Sequence, residues 1–158
     1  MKVVTVKELK IALENCSNSE IIELCLRLSK FKKENKELLT YLLFKSSNDE
    51  EYTQEIKTEI DEQFELINTK TTYFIKKSVR KILRTIKKYI RYSKKKETEI
   101  ELLLYFCKKL VDFKPSIKNN TVLKNIYLRE IAAIRKKMIL LHEDLQYDYD
   151  LELQELNF

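Results

Sequence analysis

RKILRTIKKYIR, residues 80 to 91, has a basic or apolar residue at every position but one and contains no acidic residue. At about 100° per residue, the apolar side chains of this segment and its surroundings fall within roughly 120° of arc, and the basic ones fill the opposite side. The apolar stripe is Ile75, Val79, Ile82, Leu83, Ile86, Tyr89 and Ile90. This pattern predicts a long amphipathic helix that packs its apolar stripe into a core.

Helical patterns continue on both sides of this helix. The sequence has no Gly and one Pro, so it lacks the residues that punctuate strands and tight turns. Thr5 and Glu8 have the spacing of a capping box, and an acidic helix is predicted over residues 49–68. Its apolar stripe is Tyr52, Ile56, Ile60, Phe64 and Ile67. The segment 98–113 is apolar on two sides and is predicted to be the most buried helix.

The last part of the chain allows two interpretations. Leu145, Tyr149, Leu153 and Leu156 continue a helical stripe, whereas residues 148–153 alternate acidic and apolar residues as a strand or a docking tail would. We therefore consider both a helix and a partly extended acidic segment over 143–158. The length fits a single helical domain, 1–158. The fold class is all-α, with about seven helices packed as antiparallel hairpins in a bundle or a short α-solenoid.

Two resemblances agree with this fold class. Two helices begin alike, with SEIIEL at Ser19 and TEIELL at Thr98, as in stacked hairpins of the HEAT kind, whose repeat is about 40 residues long. ELLTYLLF in the first half and KKSVRKILRTIKKYIRYSKKKETEIELLLYFCKKL in the second resemble an uncharacterised family of small all-helical bacterial proteins. The resemblance implies a helical fold and no activity.

The residue inventory favours neither catalysis nor metal binding. Without Gly there is no Walker loop, no G-x-G-x-x-G and no nucleophile elbow. His142, the only histidine, is expected at the solvated surface, and Glu55, Glu59 and Glu62 are expected to form a solvated acidic face. No C-x-x-C pair occurs, so Cys16, Cys25 and Cys107 are expected to be reduced, buried thiols. We predict no catalytic residues, no metal and no cofactor.

Composition also indicates the cellular compartment in which the protein is expected. Hydrophobic residues make up 44% of the sequence and charged residues 35%, which is typical of a folded soluble protein. No apolar run approaches the roughly 20 residues of a membrane span, so no membrane insertion is predicted. The start, MKVVTVKELK, lacks the apolar region of a secretory signal. We expect a cytoplasmic location.

The basic side of the helix over 70–96 contains the candidate residues for binding an anion or a partner. These are Lys77, Arg80, Lys81, Arg84, Lys88, Arg91 and Lys95. This side could be solvated, neutralised by the acidic helix before it, or covered by the acidic residues of 143–158. It could also meet a membrane surface, an acidic protein, or nucleic acid, with Tyr89 and Tyr92 stacking on bases.

From these alternatives we predict a non-enzymatic helical interaction or scaffold protein. Its most favoured partner is an unknown protein, and a homo-oligomer is compatible with the sequence. The alternative function is nucleic-acid binding through the basic helix, residues 70–96.

Overall fold

The computed structural model describes residues 1–156, which form eight α-helices and contain no strand. The helices are α1 (Val6–Glu14), α2 (Asn18–Phe31), α3 (Lys33–Thr40), α4 (Asp49–Glu65), α5 (Thr72–Ser93), α6 (Lys96–Asp112), α7 (Thr121–Met138) and α8 (Glu143–Glu155). A π-helical turn (Tyr41–Lys45) follows α3, and a short 3-10 turn (Ile117–Asn119) precedes α7. The predicted all-α class is confirmed.

Side-chain caps begin several of the helices. In the predicted box at α1, the Glu8 amide donates to Thr5 Oγ1 over 3.3 Å, and the Thr5 amide donates to the Glu8 carboxylate over 2.7 Å. Ser17 and Glu20 repeat the arrangement at α2. Such caps satisfy amides that have no partner inside the helix, which fixes where the helix starts.

The helices fall into two compact units, Met1–Phe44 and Lys45–Phe158. In the N-terminal unit, α2 packs against α3, and Tyr41 is the single buried residue among positions 1–44, all of which are described. Compactness of a unit does not decide whether it folds alone, so the single domain over 1–158 stays a prediction.

Polar contacts between side chains, and from a side chain to the backbone, define the helix directions in the C-terminal unit. Tyr52, near the start of α4, donates its hydroxyl to the Tyr89 carbonyl near the end of α5, so these helices are antiparallel. Helices α4 and α6 run parallel, because Lys57 pairs with Glu101 and Asp61 accepts from Tyr105 one turn further along both. Helices α6 and α7 are antiparallel, since Glu99 at the start of α6 pairs over 3.0 Å with Lys137 at the end of α7.

Helix α6 lies at the centre of this bundle, in contact with α4, α5 and α7. The prediction that it is the most buried helix is confirmed. Its buried residues are Thr98, Ile100, Leu102, Leu103, Leu104, Phe106, Cys107 and Leu110. The predicted α4 stripe is buried in full, and the α5 stripe is buried except for Tyr89, which is half-buried. The packing is a helical bundle, and a HEAT-like repeat stays a prediction.

The C-terminal segment is helical. The partly extended alternative is wrong over Glu143–Glu155, because these residues form α8, an eighth helix where seven were predicted. Positions 157–158 of the predicted segment lie outside the described residues.

Lys94, which joins α5 to α6, has a left-handed backbone with φ of 55°. Glycine usually occupies such a position, and this sequence has none.

Candidate functional site

The seven candidate residues form a basic face, which comprises Lys77, Arg80, Lys81, Arg84, Lys88, Arg91 and Lys95. Six of them lie on α5, and Lys95 lies just beyond its end. From Lys77 to Arg91 the face extends over roughly 21 Å of helix. Because the apolar stripe of α5 is fixed in the core, the helix holds these side chains on the opposite side in a defined spacing.

Six residues of the basic face are exposed to solvent, and one of these six, Lys95, is paired. Lys77, Arg80, Lys81, Arg84 and Arg91 make no ion pair with any residue in 1–156. Like-charge neighbours four residues apart on a helix repel by about 0.2 to 0.5 kcal/mol per pair. The exposed cations therefore leave a local excess of positive charge that an anion could relieve.

The other two residues of the face are engaged. Lys95 Nζ contacts the Asp49 carboxylate in the first turn of α4. Lys88 Nζ lies 4.7 Å from the centre of the Tyr89 ring, within the range of a cation–π contact. The Tyr89 hydroxyl donates to Glu59 Oε2 over 2.8 Å, and its ring meets the edge of the Tyr92 ring at 6.0 Å. These contacts fix the Tyr89 side chain against neighbouring residues of the protein.

The acidic segments that could neutralise the basic face lie elsewhere. Helix α8 packs against α7 and lines a cavity with α4 and α6, while Arg84 and Arg91 remain exposed. The acidic helix α4 contributes Asp49 to Lys95. Its Glu55 instead pairs with Lys45, and Glu59 accepts from Tyr89. An intramolecular cover over the five exposed cations is therefore not formed by α8 or α4.

A buried ion pair behind the basic face was missed from the sequence. The Glu130 side chain is fully buried; Lys87 Nζ donates to its Oε1 over 2.9 Å and lies 2.8 Å from its Oε2. Arg129 Nε also donates to Oε1 over 3.0 Å. Oε2 accepts no hydrogen bond from the described residues. Lys87 therefore joins α5 to α7.

A cavity of about 450 Å³ lies between α4, α6 and α8. Across it Lys57 and Glu101 pair at 2.6 Å, and Tyr149 and Glu152 reach it from α8. Burial, followed by the hydrogen bond to Asp61, raises the pKa of Tyr105 to about 12. Burial and then the neighbouring carboxylates of Glu101 and Glu97 raise the pKa of Tyr149 to about 12.

The carboxyl group of Asp61 shifts the other way. Burial raises its pKa, but hydrogen bonds from Lys109 and Tyr105 outweigh burial and lower the pKa below the ordinary value. General acid–base catalysis works best with a pKa near the operating pH. The shifts of Asp61 and of the two tyrosines move away from neutrality, so they do not prepare these groups for proton transfer.

The remaining sequence candidates are dispersed. His142 is exposed and caps α8, accepting from the Asp144 amide over 3.4 Å, so its predicted surface position is confirmed. Cys107 is buried as expected, but Cys16 and Cys25 are only partly buried because the helices around them are open to solvent. Within residues 1–156, no group of three or more His, Cys, Asp or Glu side chains could hold a metal ion. None of the described helices has the length and apolar character needed to cross a membrane.

No family model, no curated protein and no solved structure matches the chain. The resemblance to an uncharacterised bacterial family is therefore supported only in that the protein is small and all-helical.

Proposed function

We propose that the protein is a non-enzymatic interaction module that binds an acidic surface of another protein through the basic face of α5. The observation that carries the proposal is the set of five exposed cations without an ion pair in residues 1–156. Lysines elsewhere in the same unit, such as Lys57, Lys109 and Lys137, do pair with carboxylates across helices. This contrast indicates that the basic face of α5 is suited to bind an external anion.

The geometry of the face supports a protein partner. Tyr89 is engaged with Glu59 and packed between Lys88 and Tyr92, so it does not offer the open aromatic platform on which unpaired bases stack. Carboxylates on a partner helix or loop can pair with the cations along about 21 Å without such a platform.

Binding to the backbone of double-stranded nucleic acid is the second candidate. The same five cations could neutralise phosphates, because a basic helix face needs neither stacking nor base-specific contacts for that. Such binding would be independent of sequence and strongly weakened by salt.

A double charge reversal tests both candidates. Lys81→Glu with Arg84→Glu removes two exposed cations from the face, and Arg135→Glu with Lys136→Glu makes the same change in net charge on α7, where both residues are exposed. We expect an acidic polypeptide, labelled poly-glutamate, to bind the unmodified protein and the α7 variant equally. The α5 variant should bind at least tenfold more weakly.

The salt dependence and the ligand then separate the candidates. A labelled duplex that binds more tightly than poly-glutamate, with affinity falling steeply between about 50 and 200 mM salt, would favour nucleic acid. Equal weakening by the α5 and α7 reversals would show that net charge alone is responsible, and would contradict a role for the basic face with either ligand.

A further inference from the structure

The exposed side of α8 is acidic, whereas the exposed side of α5 is basic. Helix α8 contains no Lys or Arg. All six of its acidic residues are exposed, namely Glu143, Asp144, Asp148, Asp150, Glu152 and Glu155. His142 lies 3.4 Å from the Asp144 carboxylate, but none of the six residues pairs with a Lys or Arg of residues 1–156. Helix α8 therefore presents negative charge at the surface that the chain does not neutralise with a permanent cation.

Four of these carboxylates form an acidic row along α8. The acidic row comprises Asp144, Asp148, Glu152 and Glu155. At about 100° per residue, its members fall within roughly 80° of arc and extend over roughly 17 Å of helix. The apolar stripe from Leu145 to Leu156 occupies a different part of the circumference and is buried or partly buried against the rest of the unit. The acidic row itself therefore remains available to another molecule.

The acidic row and the basic face of α5 are similar in length and opposite in charge. The five unpaired cations, from Lys77 to Arg91, fall within roughly 100° of arc over roughly 21 Å, on the side of α5 opposite its buried stripe. Each surface is a row of like charges along one helix, and neighbours four residues apart repel one another within each row. Contact between the two surfaces would replace both sets of repulsion by attraction.

Charge complementarity favours a second copy of the chain as the partner. Within one copy the two surfaces do not meet, because α8 packs against α7 while Arg84 and Arg91 stay exposed. An unrelated acidic protein on α5 would leave the acidic row unneutralised, and an unrelated basic protein on α8 would leave the basic face unneutralised. A second copy supplies the complement of both surfaces, so association between copies neutralises the two together.

Exposed apolar residues border both surfaces. Tyr73 lies one turn before Lys77 on the same side of α5, and Tyr147 and Leu151 lie beside the acidic row. Ion pairs at a protein surface contribute little free energy by themselves, and aromatic residues are enriched at protein interfaces. These side chains therefore add apolar contact area to an interface between the two charged surfaces.

We infer that the acidic row of α8 binds the basic face of α5 in a second copy of the chain, so that copies associate head to tail. Each copy uses one surface toward one neighbour and the other surface toward the next. The inference rests on the proposed function, because it names the acidic surface that the basic face binds. A small polar interface of this kind is transient, so we expect a Kd on the order of 10 to 100 µM at about 20 mM salt. The affinity should fall at least tenfold by about 200 mM salt.

Charge reversal on either surface tests the contact. Asp148→Lys with Glu155→Lys gives an α8 variant with an altered acidic row, and the α5 variant, Lys81→Glu with Arg84→Glu, has an altered basic face. At about 300 µM and about 20 mM salt, the unmodified full chain should sediment as dimers and larger species whose average mass rises with concentration. Each variant alone should be monomeric, with its Kd raised at least tenfold.

Two control variants make the same changes in net charge elsewhere. Glu62→Lys with Glu65→Lys on α4 matches the α8 variant, and the α7 variant described above matches the α5 variant; all the residues changed in the controls are exposed. Both controls should associate like the unmodified chain. Equal loss of association in a control and in its matched variant would overturn the inference, because net charge alone would then be responsible.

Mixing the α5 and α8 variants tests the head-to-tail arrangement. The α5 variant keeps the acidic row and the α8 variant keeps the basic face, so the mixture retains one complementary contact. We expect an equimolar mixture to form dimers that contain one copy of each variant. Recovery of association would also show that the variants are folded, because mixing does not rescue a misfolded surface. A mixture that stays monomeric would overturn the inference.

Poly-glutamate separates failure of this inference from failure of the proposed function. The α8 variant retains the basic face, so it should bind poly-glutamate at least as tightly as the unmodified chain. A monomeric unmodified chain at about 300 µM and about 20 mM salt would overturn the inference. If that monomer still bound poly-glutamate through α5, the proposed function would stand and the acidic partner would be a different protein. If poly-glutamate bound the α5 and α7 variants equally, the proposed function would fail and the inference with it.

Discussion

Replacing Lys87 by Met should destabilise the protein strongly, because it removes the charge that faces the buried Glu130 carboxylate. Removing one partner of a buried ion pair typically lowers the free energy of unfolding by about 3 to 5 kcal/mol. We expect the lower end, about 3 kcal/mol, since the Lys87 side chain is 44% exposed and Arg129 still donates to Glu130. At about 2 to 4 °C per kcal/mol, the melting temperature should fall by roughly 6 to 12 °C.

The double variant separates the loss of the pair from the loss of the Lys87 side chain. Glu130→Leu together with Lys87→Met leaves no unpaired charge in the interface between α5 and α7. We therefore expect it to lie within about 1 kcal/mol of the unmodified protein, because apolar replacements of both partners are often neutral or stabilising. Urea unfolding of the two single variants and the double variant gives the coupling between the residues, which should be at least about 2 kcal/mol.

Lys109→Met is the matched control, because Lys109 pairs with Asp61 over 2.8 Å at a partly exposed position. Its loss should lower the free energy of unfolding by no more than about 1 kcal/mol. The reasoning would be refuted if Lys87→Met changed the free energy of unfolding by less than the Lys109 variant. It would also be refuted if the double variant were as unstable as Lys87→Met.

Three further predictions concern the backbone, the buried thiol and the basic face. Lys94→Gly should raise the free energy of unfolding by about 1 kcal/mol in urea titrations, because glycine relieves the left-handed backbone; a loss of stability would contradict this. Burial, reinforced by Glu130, raises the pKa of Cys107 from 9.0 to about 12, so the unfolded chain loses this thiol proton first. The stability contributed is present below pH 9 and is lost as the pH rises from about 9 to 12, by roughly 1 kcal/mol per pH unit. The urea midpoint should follow this fall, and Cys107→Ala should flatten it; equal slopes would count against the assignment. Arg84→Glu should stabilise the fold by about 0.8 to 2 kcal/mol at low salt, because it converts two repulsive pairs, with Arg80 and Lys88, into attractive ones. Destabilisation in the same assay would indicate that an acidic segment covers Arg84.

Much of the C-terminal bundle could be predicted because its core residues follow the helical period. The stripe from Tyr52 to Ile67 and the stripe of α5, except the half-buried Tyr89, are buried where the sequence places them. For the C-terminal segment, a helical stripe and an alternating pattern coexist at positions such as Tyr149 and Leu153. In the structure this segment is the helix α8 and Leu153 is buried, as the helical stripe predicts.

Glu130 shows what periodicity alone does not reveal. It lies four residues after Ile126 and four before Ile134, so it occupies the apolar side of α7. That position was a signal for a buried charge, but its partner Lys87 is 43 residues away in sequence, and only packing brings the two together. The same limit applied to Lys95, because a sequence pattern does not identify Asp49 as its neighbour.

The N-terminal unit illustrates the reverse problem. Apolar spacing in α1 and α2 predicts helices correctly, but it does not state what those helices pack against. Leu24 and Leu28 have the spacing of core residues and are exposed. Helical period alone therefore identifies an apolar side without identifying its neighbour.

The anchoring of α5 has a thermodynamic consequence for any partner of the basic face. A flexible basic tail must give up backbone freedom of about 1 to 2 kcal/mol for each residue that becomes ordered on binding. The backbone from Lys77 to Arg91 is already ordered, because Val79, Ile82 and Ile86 are fixed in the core. Only side-chain rotations remain to be restricted, so each ionic contact on this helix retains more of its binding free energy than the same contact on a disordered segment.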